Sequence, residues 1–414
     1  MKLGDVAHPE RSRFGKPLDG VRVLALEQQQ ALPYATQLLA RLGADVVKVE
    51  LPGEGESGRT TLPAMQDPWG RAVGCTYLRN NLGKRSVCID LKSDEGRELI
   101  LRLAPRFDVV AENFRGGTMR RLGLAYEDIA AVHPKVIYVS VSGFGNTTAS
   151  PYDGWSAYAP IAEAMASLYE FKREPDVAPI PSPMGAIGDT GTAMFAAFGI
   201  LAALRHRDLM GEGQYVDVAL YDSMVAMADA GINYWSMGIP NALVVPTINH
   251  AFKASDGYFV MMCGRAAHFR ALATTIGRPE WIGDATLAGP ADWLDRLDDV
   301  IRPAIEQWAS TRTRHEVCRE LGAVGVAVGP VHTPGDVIAD EHVQSHNMIV
   351  EMPRSDGVAE PILTPGNPVK MSKVAEGPET RVPWLGEHTD DVLAAELGLD
   401  ADDLARLRAT NVIG

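Results

Sequence analysis

Cysteine is scarce in this chain. Only Cys75, Cys88, Cys263 and Cys318 occur in 414 residues, and no two form a C-x-x-C pair. That excludes a zinc ribbon and a thioredoxin-like redox motif. Sparse thiols suit a reducing compartment, so a cytoplasmic setting is expected. Positive charge is also in deficit: 39 Lys plus Arg against 53 Asp plus Glu leave a net charge of −14. This balance argues against nucleic-acid and anionic-membrane partners. No apolar run approaches the ~20 residues of a membrane span, and the opening MKLGDVAHPERSRFGKP has no apolar core of a secretory signal. There is no Walker loop, no G-x-G-x-x-G in the turn after the first strand and no G-x-S-x-G elbow; Val141-Ser142-Gly143-Phe144-Gly145 does not fit the last. His342 and His346 are four apart but lack a third ligand, so no metal site is expected.

What remains is the composition of an ordinary globular protein, 46% hydrophobic and 22% charged, with length enough for two domains. Val21–Leu26 (VRVLAL) reads as a strand, Pro33–Leu42 as a helix stopped by Gly43, and Ala44–Glu50 (ADVVKVE) as a second strand. This is a βαβ unit, and the alternation continues. Arg85–Asp90, Asp108–Ala111 and Val136–Ser142 read as strands; Ser93–Ala104, capped by Ser93, and Gly117–Leu122 read as helices. Such alternation predicts an α/β fold with a parallel sheet covered on both faces. The turn after the first strand, Glu27-Gln28-Gln29-Gln30, is unusual: three amides either form a polar surface loop or line a cleft at the carboxyl edge of the sheet.

Ala157–Phe171 reads as a helix and Pro175–Pro183 as a proline-rich loop. Tyr215–Leu220 reads as a strand, Asp222–Trp235 as a helix, and Ala251–Cys263 as a hairpin turning at Ser255-Asp256-Gly257. Helical patterns follow at Ala267–Ile276, Ala291–Leu297, Val300–Ala309 and Arg314–Leu321. The expected organisation is an extension over 1–17, a large α/β domain over 18–225, a linker helix over 226–245, a small α+β domain over 246–328, and a return to the large domain over 329–414.

Two features point toward chemistry. Lys84 and Arg85 with Lys92, and Arg115 with Arg120 and Arg121, flank strand ends and together are suited to a phosphate-bearing ligand; taken singly, each is an ordinary surface charge. The small-residue stretch Met184–Thr192 (MGAIGDTGT) delivers one acid, Asp189, ahead of the apolar run Ala193–Leu204. Asp189 is either the N-cap of that helix or a carboxylate nucleophile in a loop of little bulk, and position alone leaves both open.

Ordered segments along the chain decide between them. They are Leu18-Asp19-Gly20-Val21-Arg22-Val23-Leu24, Leu42-Gly43-Ala44-Asp45-Val46-Val47-Lys48-Val49-Glu50, Asn81-Leu82-Gly83-Lys84-Arg85-Ser86, Asp90-Leu91-Lys92 and Glu112-Asn113-Phe114-Arg115. Gly188-Asp189, Gly199–Leu204, Gly211-Glu212-Gly213-Gln214 and Leu385-Gly386-Glu387-His388-Thr389 complete them. Each is weak alone; in this order, from about Pro17 to the C-terminus, the chain resembles the class III CoA-transferases, the family of formyl-CoA transferase, carnitine CoA-transferase and the α-methylacyl-CoA racemases.

The resemblance implies a Rossmann-like parallel-sheet large domain built from both chain ends, a smaller inserted α+β domain, and an interlocked homodimer. It places the catalytic aspartate on Asp189 and contacts to coenzyme A on Gln30, Ala31, Lys92, Asn113, Phe114 and Arg121. It implies acyl-CoA and a small carboxylic acid as substrates, no permanently bound cofactor and no metal. The activity it implies is transfer of CoA through aspartyl anhydride and aspartyl-CoA thioester intermediates, with backbone N–H groups of Gly188–Gly191 as oxyanion donors. The helix behind Asp189 is expected to keep its pKa low. Leu51 stands where formyl-CoA transferase has a basic residue, and no glycine-rich loop lies between Trp235 and Arg265, which disfavours formate. A racemase-like isomerase is the alternative, but Trp155 replaces its histidine and the Gly264–Phe269 segment lacks its glutamate. A non-catalytic CoA-binding homologue is the other. Arg265 and His268 are candidates for a second carboxylate of the acid.

Overall fold

The computed structural model describes residues 1–170, 173, 176–182, 184–239 and 246–414. Phe171, Pro175, Pro183 and residues 240–245 of the expected linker lie outside the described residues. Two compact units are present: Met1–Ile232 together with His342–Gly414, and Asn233–Glu341.

In the first unit the strands are β1 (Arg22–Leu26), β2 (Asp45–Glu50), the short hairpin β3 (Ala64–Gln66) and β4 (Ala72–Gly74), β5 (Arg85–Cys88), β6 (Val109–Glu112), β7 (Ile137–Ser142) and β8 (Gln214–Ala219). Six of them make one parallel sheet in the order β5-β2-β1-β6-β7-β8. All residues of β6 and β7 are buried, the signature of strands covered on both faces. The order reverses between β1 and β6. Open α/β sheets bind ligands at such a switch point, beyond the carboxyl ends of the strands.

One face is covered by α1 (Ala31–Arg41), α6 (Ala159–Met165), α7 (Ile187–Met210) and α8 (Leu220–Met227). The other is covered by α3 (Asp94–Leu103), α4 (Thr118–Leu122), α5 (Tyr126–Val132) and two C-terminal helices, Thr389–Leu397 and Ala401–Ala409. The short helix α2 (Cys75–Asn80) precedes β5. Each fully buried aliphatic side chain of these layers contributes about 1.5–3 kcal/mol. His388 braces the C-terminal helices to the sheet, its Nδ1 accepting from the Ser86 N–H at 3.2 Å while its own N–H donates to Ser86 O at 2.9 Å.

Glycine sets the packing of α7. A Cβ on Gly188 would lie 2.9 Å from Ala159 Cα, and one on Gly191 would lie 2.5 Å from Met227 Sδ. Both positions let α6 and α8 approach closely. The helix therefore starts at Ile187, six residues before the expected Ala193, through residues that read as loop. At 24 residues, with a window of mean hydropathy 1.5, α7 is long and apolar enough to cross a membrane, which the search for apolar runs did not foresee; half of that window is buried in the protein.

Other expectations are corrected in detail. The helix expected over Ala157–Phe171 is only α6 followed by a 3-10 turn at Leu168–Glu170. The helix expected over Asp222–Trp235 is interrupted at Ala228, giving α8 and α9 (Asp229–Ser236). The second unit contains the expected hairpin as β9 (Ile248–Ala254) and β10 (Gly257–Cys263), joined by an unforeseen β11 (Ala327–Pro330). Its core stacks Phe269 on Trp293, with ring centroids 4.3 Å apart. In the first unit β12 (Ile349–Met352) pairs with β13 (Ile362–Pro365).

Candidate active site

The residues that follow β1 and β6 meet at the switch point. Gln28 N–H donates to Asn113 Oδ1 at 2.8 Å, and Asn113 Nδ2 donates to Gln28 O at 2.9 Å. The side-chain amide of Asn113 thus extends the ladder one step past the sheet. Gln29 adopts φ 63°, a conformation uncommon outside glycine. It is held there by Glu56 Oε2, which accepts the Gln29 N–H at 2.9 Å, and by Ser57, whose Oγ accepts from Gln29 Nε2 at 2.6 Å. The glutamine turn is a pinned part of the cleft edge.

Beneath it lies a buried charge network that the sequence reading missed. Lys84, expected to face an anion, is fully buried: its Nζ donates to Glu27 Oε1 at 2.6 Å, Pro33 O at 2.9 Å and Asn81 Oδ1 at 2.9 Å. Desolvation lowers its pKa to about 8, with Glu27 opposing. Lys48 Nζ donates to Glu27 O at 3.0 Å and lies 3.8 Å from Glu56 Oε1. Arg59 grips Glu50 through two contacts, of 2.6 and 2.7 Å, and donates to Tyr77 Oη at 2.6 Å. Lys48, Lys84 and Arg59 thus balance Glu27, Glu50 and Glu56. The available signal was Lys48 and Glu50 inside an otherwise apolar strand buried on both faces. Arg85 also leaves the anion cluster, because it stands at the opening end of β5 and pairs with Asp45.

A cavity of about 800 Å³ opens at the carboxyl ends of β1, β2 and β5, lined by Gln28, Leu51, Lys92, Phe114 and Leu122 among others. Lys92 and Phe114 are thus brought together, with Asn113 bonded to a third wall residue. Arg121 is on α4 beside Thr118, a lining residue, and donates to its Oγ1 at 2.9 Å. Arg115 and Arg120 instead line a separate cavity of about 670 Å³ beyond β6 and β7. Gln30 and Ala31 stand at the start of α1, outside the lining of the larger cavity; Gln30 Oε1 accepts from Arg79 Nη2 at 2.6 Å.

Asp189 is not a helix cap. It sits inside the first turn of α7, whose N-cap position is Ala186, and no side chain caps the helix. Its half-buried carboxylate makes no hydrogen bond or ion pair among the described residues. Glu163, 1% exposed, does the satisfying instead: Oε1 accepts the Gly188 N–H at 2.8 Å and Oε2 accepts from Tyr169 Oη at 2.6 Å. The expected low pKa is reversed. Burial first, and the Glu163 charge second, raise Asp189 to about 6, against a lowering pull from Arg79. The helix end is outweighed by burial and by the Glu163 charge, whose carboxylate already holds the Gly188 N–H. The expected donors Gly188–Gly191 are likewise reduced. Gly188 N–H binds Glu163, Thr190 N–H binds Ala186 O at 3.1 Å, and Gly191 enters the helix ladder; the Asp189 N–H alone has no acceptor among the described residues.

Arg265 and His268 belong to the second unit, at the start of the helix Ala266–Thr275. His342 and His346 stack at 3.9 Å between centroids, and no group of three metal-binding side chains occurs among the described residues.

Comparison with known proteins follows this geometry. A family model described as CoA-transferase family III matches residues 18–389. The chain is 36% identical over 386 residues to succinyl-CoA:mesaconate CoA-transferase of Haloarcula hispanica, covering 91% of this chain and 95% of that one. It is 32% identical over 422 residues to formyl-CoA:oxalate CoA-transferase of Streptomyces coelicolor, covering 96% and 99%. A solved structure of a CAIB/BAIF family protein from Brucella suis superposes with a TM-score of 0.81 at 32% identity, covering 92% of this chain and 99% of that one.

Proposed function

The chain belongs to CoA-transferase family III, and on that premise we propose that it moves CoA from an acyl-CoA to a free carboxylic acid through covalent intermediates on Asp189. The observation that carries the reading is an ionisable carboxylate without a partner among the described residues, in the first turn of α7, the helix that packs on α1, whose N-cap position is Gln30.

A carboxylate with a pKa of about 6 is roughly 90% ionised at neutral pH and a better nucleophile than an ordinary aspartate. Its oxygen attacks the thioester carbonyl, the C–S bond breaks, and CoA thiolate leaves a mixed anhydride. The thiolate then attacks the aspartyl carbonyl; the bond between the aspartyl carbon and the bridging oxygen breaks, giving an aspartyl thioester and the first acid as its carboxylate. The incoming carboxylate attacks that thioester and releases CoA thiolate. Attack of the thiolate on the new acyl carbonyl yields the product and restores Asp189. The Asp189 N–H is the donor left for the developing oxyanion.

CoA is assigned to the switch-point cavity. Phe114 supplies an apolar wall, and Lys92 and Arg121 supply charge for the phosphates where Leu51 offers none. Asn113 and Gln28 hold the rim, with Gln30 and Ala31 leading from it toward Asp189. We also assign a second copy of this chain to the exposed apolar side of α7, where Met194, Phe195, Phe198 and Leu201 are all more than a third exposed. The insertion of the second unit between two parts of the first is the arrangement an interlocked homodimer needs.

The test is a screen of acyl-CoA donors against a panel of acids, with Asp189→Ala alongside. The reading expects transfer by the native chain and loss of about 10⁴-fold or more in the variant. Full activity in Asp189→Ala contradicts it. So does CoA binding without turnover of any pair.

A further inference from the structure

One cation beside the nucleophile is left unused by that mechanism. Arg79, the penultimate residue of α2, donates Nη2 to Gln30 Oε1 at 2.6 Å. Unlike Arg59, Arg71 and Arg85, it forms no ion pair with a carboxylate among the described residues. Gln30 opens α1, α1 packs along α7, and Asp189 sits in the first turn of α7. The Arg79 charge is close enough to pull on the Asp189 carboxyl.

Arg79, itself exposed, also lines an open cleft of about 240 Å³ between α2, β3 and β13. Its walls include Leu78 and Ile362, and it contains Thr364, only 3% exposed, whose Oγ1 has no hydrogen-bond partner. Arg354 lines the same space, but its guanidinium is neutralised by Asp356, with Nε 2.9 Å from Oδ1. A buried hydroxyl without a partner costs free energy unless something fills the need. A guanidinium bound only to neutral groups, the Gln30 amide and, at 3.9 Å, the Cys75 sulfur, exchanges such a contact for a carboxylate with gain, because charge-assisted bonds are the stronger. The space is too small for CoA and suits a short chain ending in a carboxylate.

We propose that Arg79, with the Thr364 hydroxyl, is the specificity-determining group for the acid substrate, binding the carboxylate of a short dicarboxylic acid that does not react at Asp189. The inference rests on the CoA-transferase reading and concerns the acid alone. It places in the first unit a role for which the sequence offered Arg265 and His268. No covalent step is involved: Arg79 releases the Gln30 amide, takes the distal carboxylate in its fork, and leaves the other carboxylate free to react.

The experiment uses one acyl-CoA donor and compares dicarboxylic acids with their monoamides, which keep the shape and remove the second charge. Native chain, Arg79→Ala, Arg79→Lys and Thr364→Val are assayed for kcat and KM. The native chain is expected to prefer the diacid. Arg79→Ala is expected to lower kcat/KM for the diacid about 100-fold, mainly through KM, while the monoamide changes by less than about threefold. Arg79→Lys recovers part of the loss, and Thr364→Val loses about tenfold on the diacid only. Equal losses on both acids, no loss on either, or a native preference for the monoamide overturns the inference while CoA transfer stands. A native chain that transfers CoA to no acid overturns the underlying reading instead, so the two failures are separate.

Discussion

Glu163 Oε1 accepts the backbone N–H of Gly188 at 2.8 Å, one residue before Asp189. A buried carboxylate therefore occupies the end of α7 where an anion is favoured, and Asp189 beside it has a raised pKa: burial is the larger cause and the Glu163 charge the next. Glu163→Gln keeps an oxygen for the Gly188 N–H but removes the charge. The acid limb of the kcat/KM profile is expected near pH 6 in the native chain and, in the variant, lower by about half a unit to one unit. A limb unmoved in rate-against-pH measurements contradicts the coupling.

Asp189 itself should cost stability at neutral pH. Its folded pKa, about 6, lies above the ordinary 3.8. Between those values the folded chain holds a proton that the unfolded chain has released. Stability from this group therefore falls as pH rises through the window, and the cost is complete above about pH 6. Asp189→Asn is expected to be more stable than the native chain by about 1–3 kcal/mol at pH 7, and by little at pH 4. Urea denaturation at the two pH values checks the sign.

The charge network below the glutamine turn behaves oppositely. Glu27 and Glu50 both have pKa values below the usual carboxylate range, held there against burial by Lys84 and Lys48 for the one and by Arg59 for the other. Their stabilisation is present above about pH 4.5 and lost as pH falls through the folded values. Lys84→Met removes one cation from the buried set and is expected to cost about 3–5 kcal/mol. The urea midpoint at pH 7 reads this directly.

Asn113 tests the cleft edge. Asn113→Ala removes both bonds to Gln28, the 2.8 Å and the 2.9 Å. At about 1 kcal/mol each, the expected result is a tenfold or larger rise in the CoA dissociation constant by calorimetry, with the fold intact by circular dichroism. Unchanged affinity would remove the switch point from the CoA assignment.

The parallel sheet was legible because its strands are short apolar runs separated by helical periods, and Val136–Ser142 needed nothing else. The hairpin of the second unit was legible from its Asp256-Gly257 turn. The start of α7 was not: Gly185, Gly188 and Gly191 look like loop residues, yet the last two are small so that Ala159 and Met227 can approach. Lys84 was misread because sequence reports a charge without the direction of its side chain; the acid it meets, Glu27, is 57 positions away. Glu163 went unnoticed inside an apolar helix, and Arg79 inside a segment valued for Lys84 and Arg85. Asp189 was singled out, but its environment was inferred from the helix end alone, which omitted the buried acid that claims that end.

The central claim is the covalent role of Asp189. The direct measurement is to incubate the chain with an acyl-CoA it turns over, treat it with hydroxylamine or borohydride, and map the peptides by mass. The account predicts a hydroxamate or a reduced side chain on the peptide carrying Asp189, and none in Asp189→Ala. An unmodified Asp189 in a sample that is turning over acyl-CoA would contradict it.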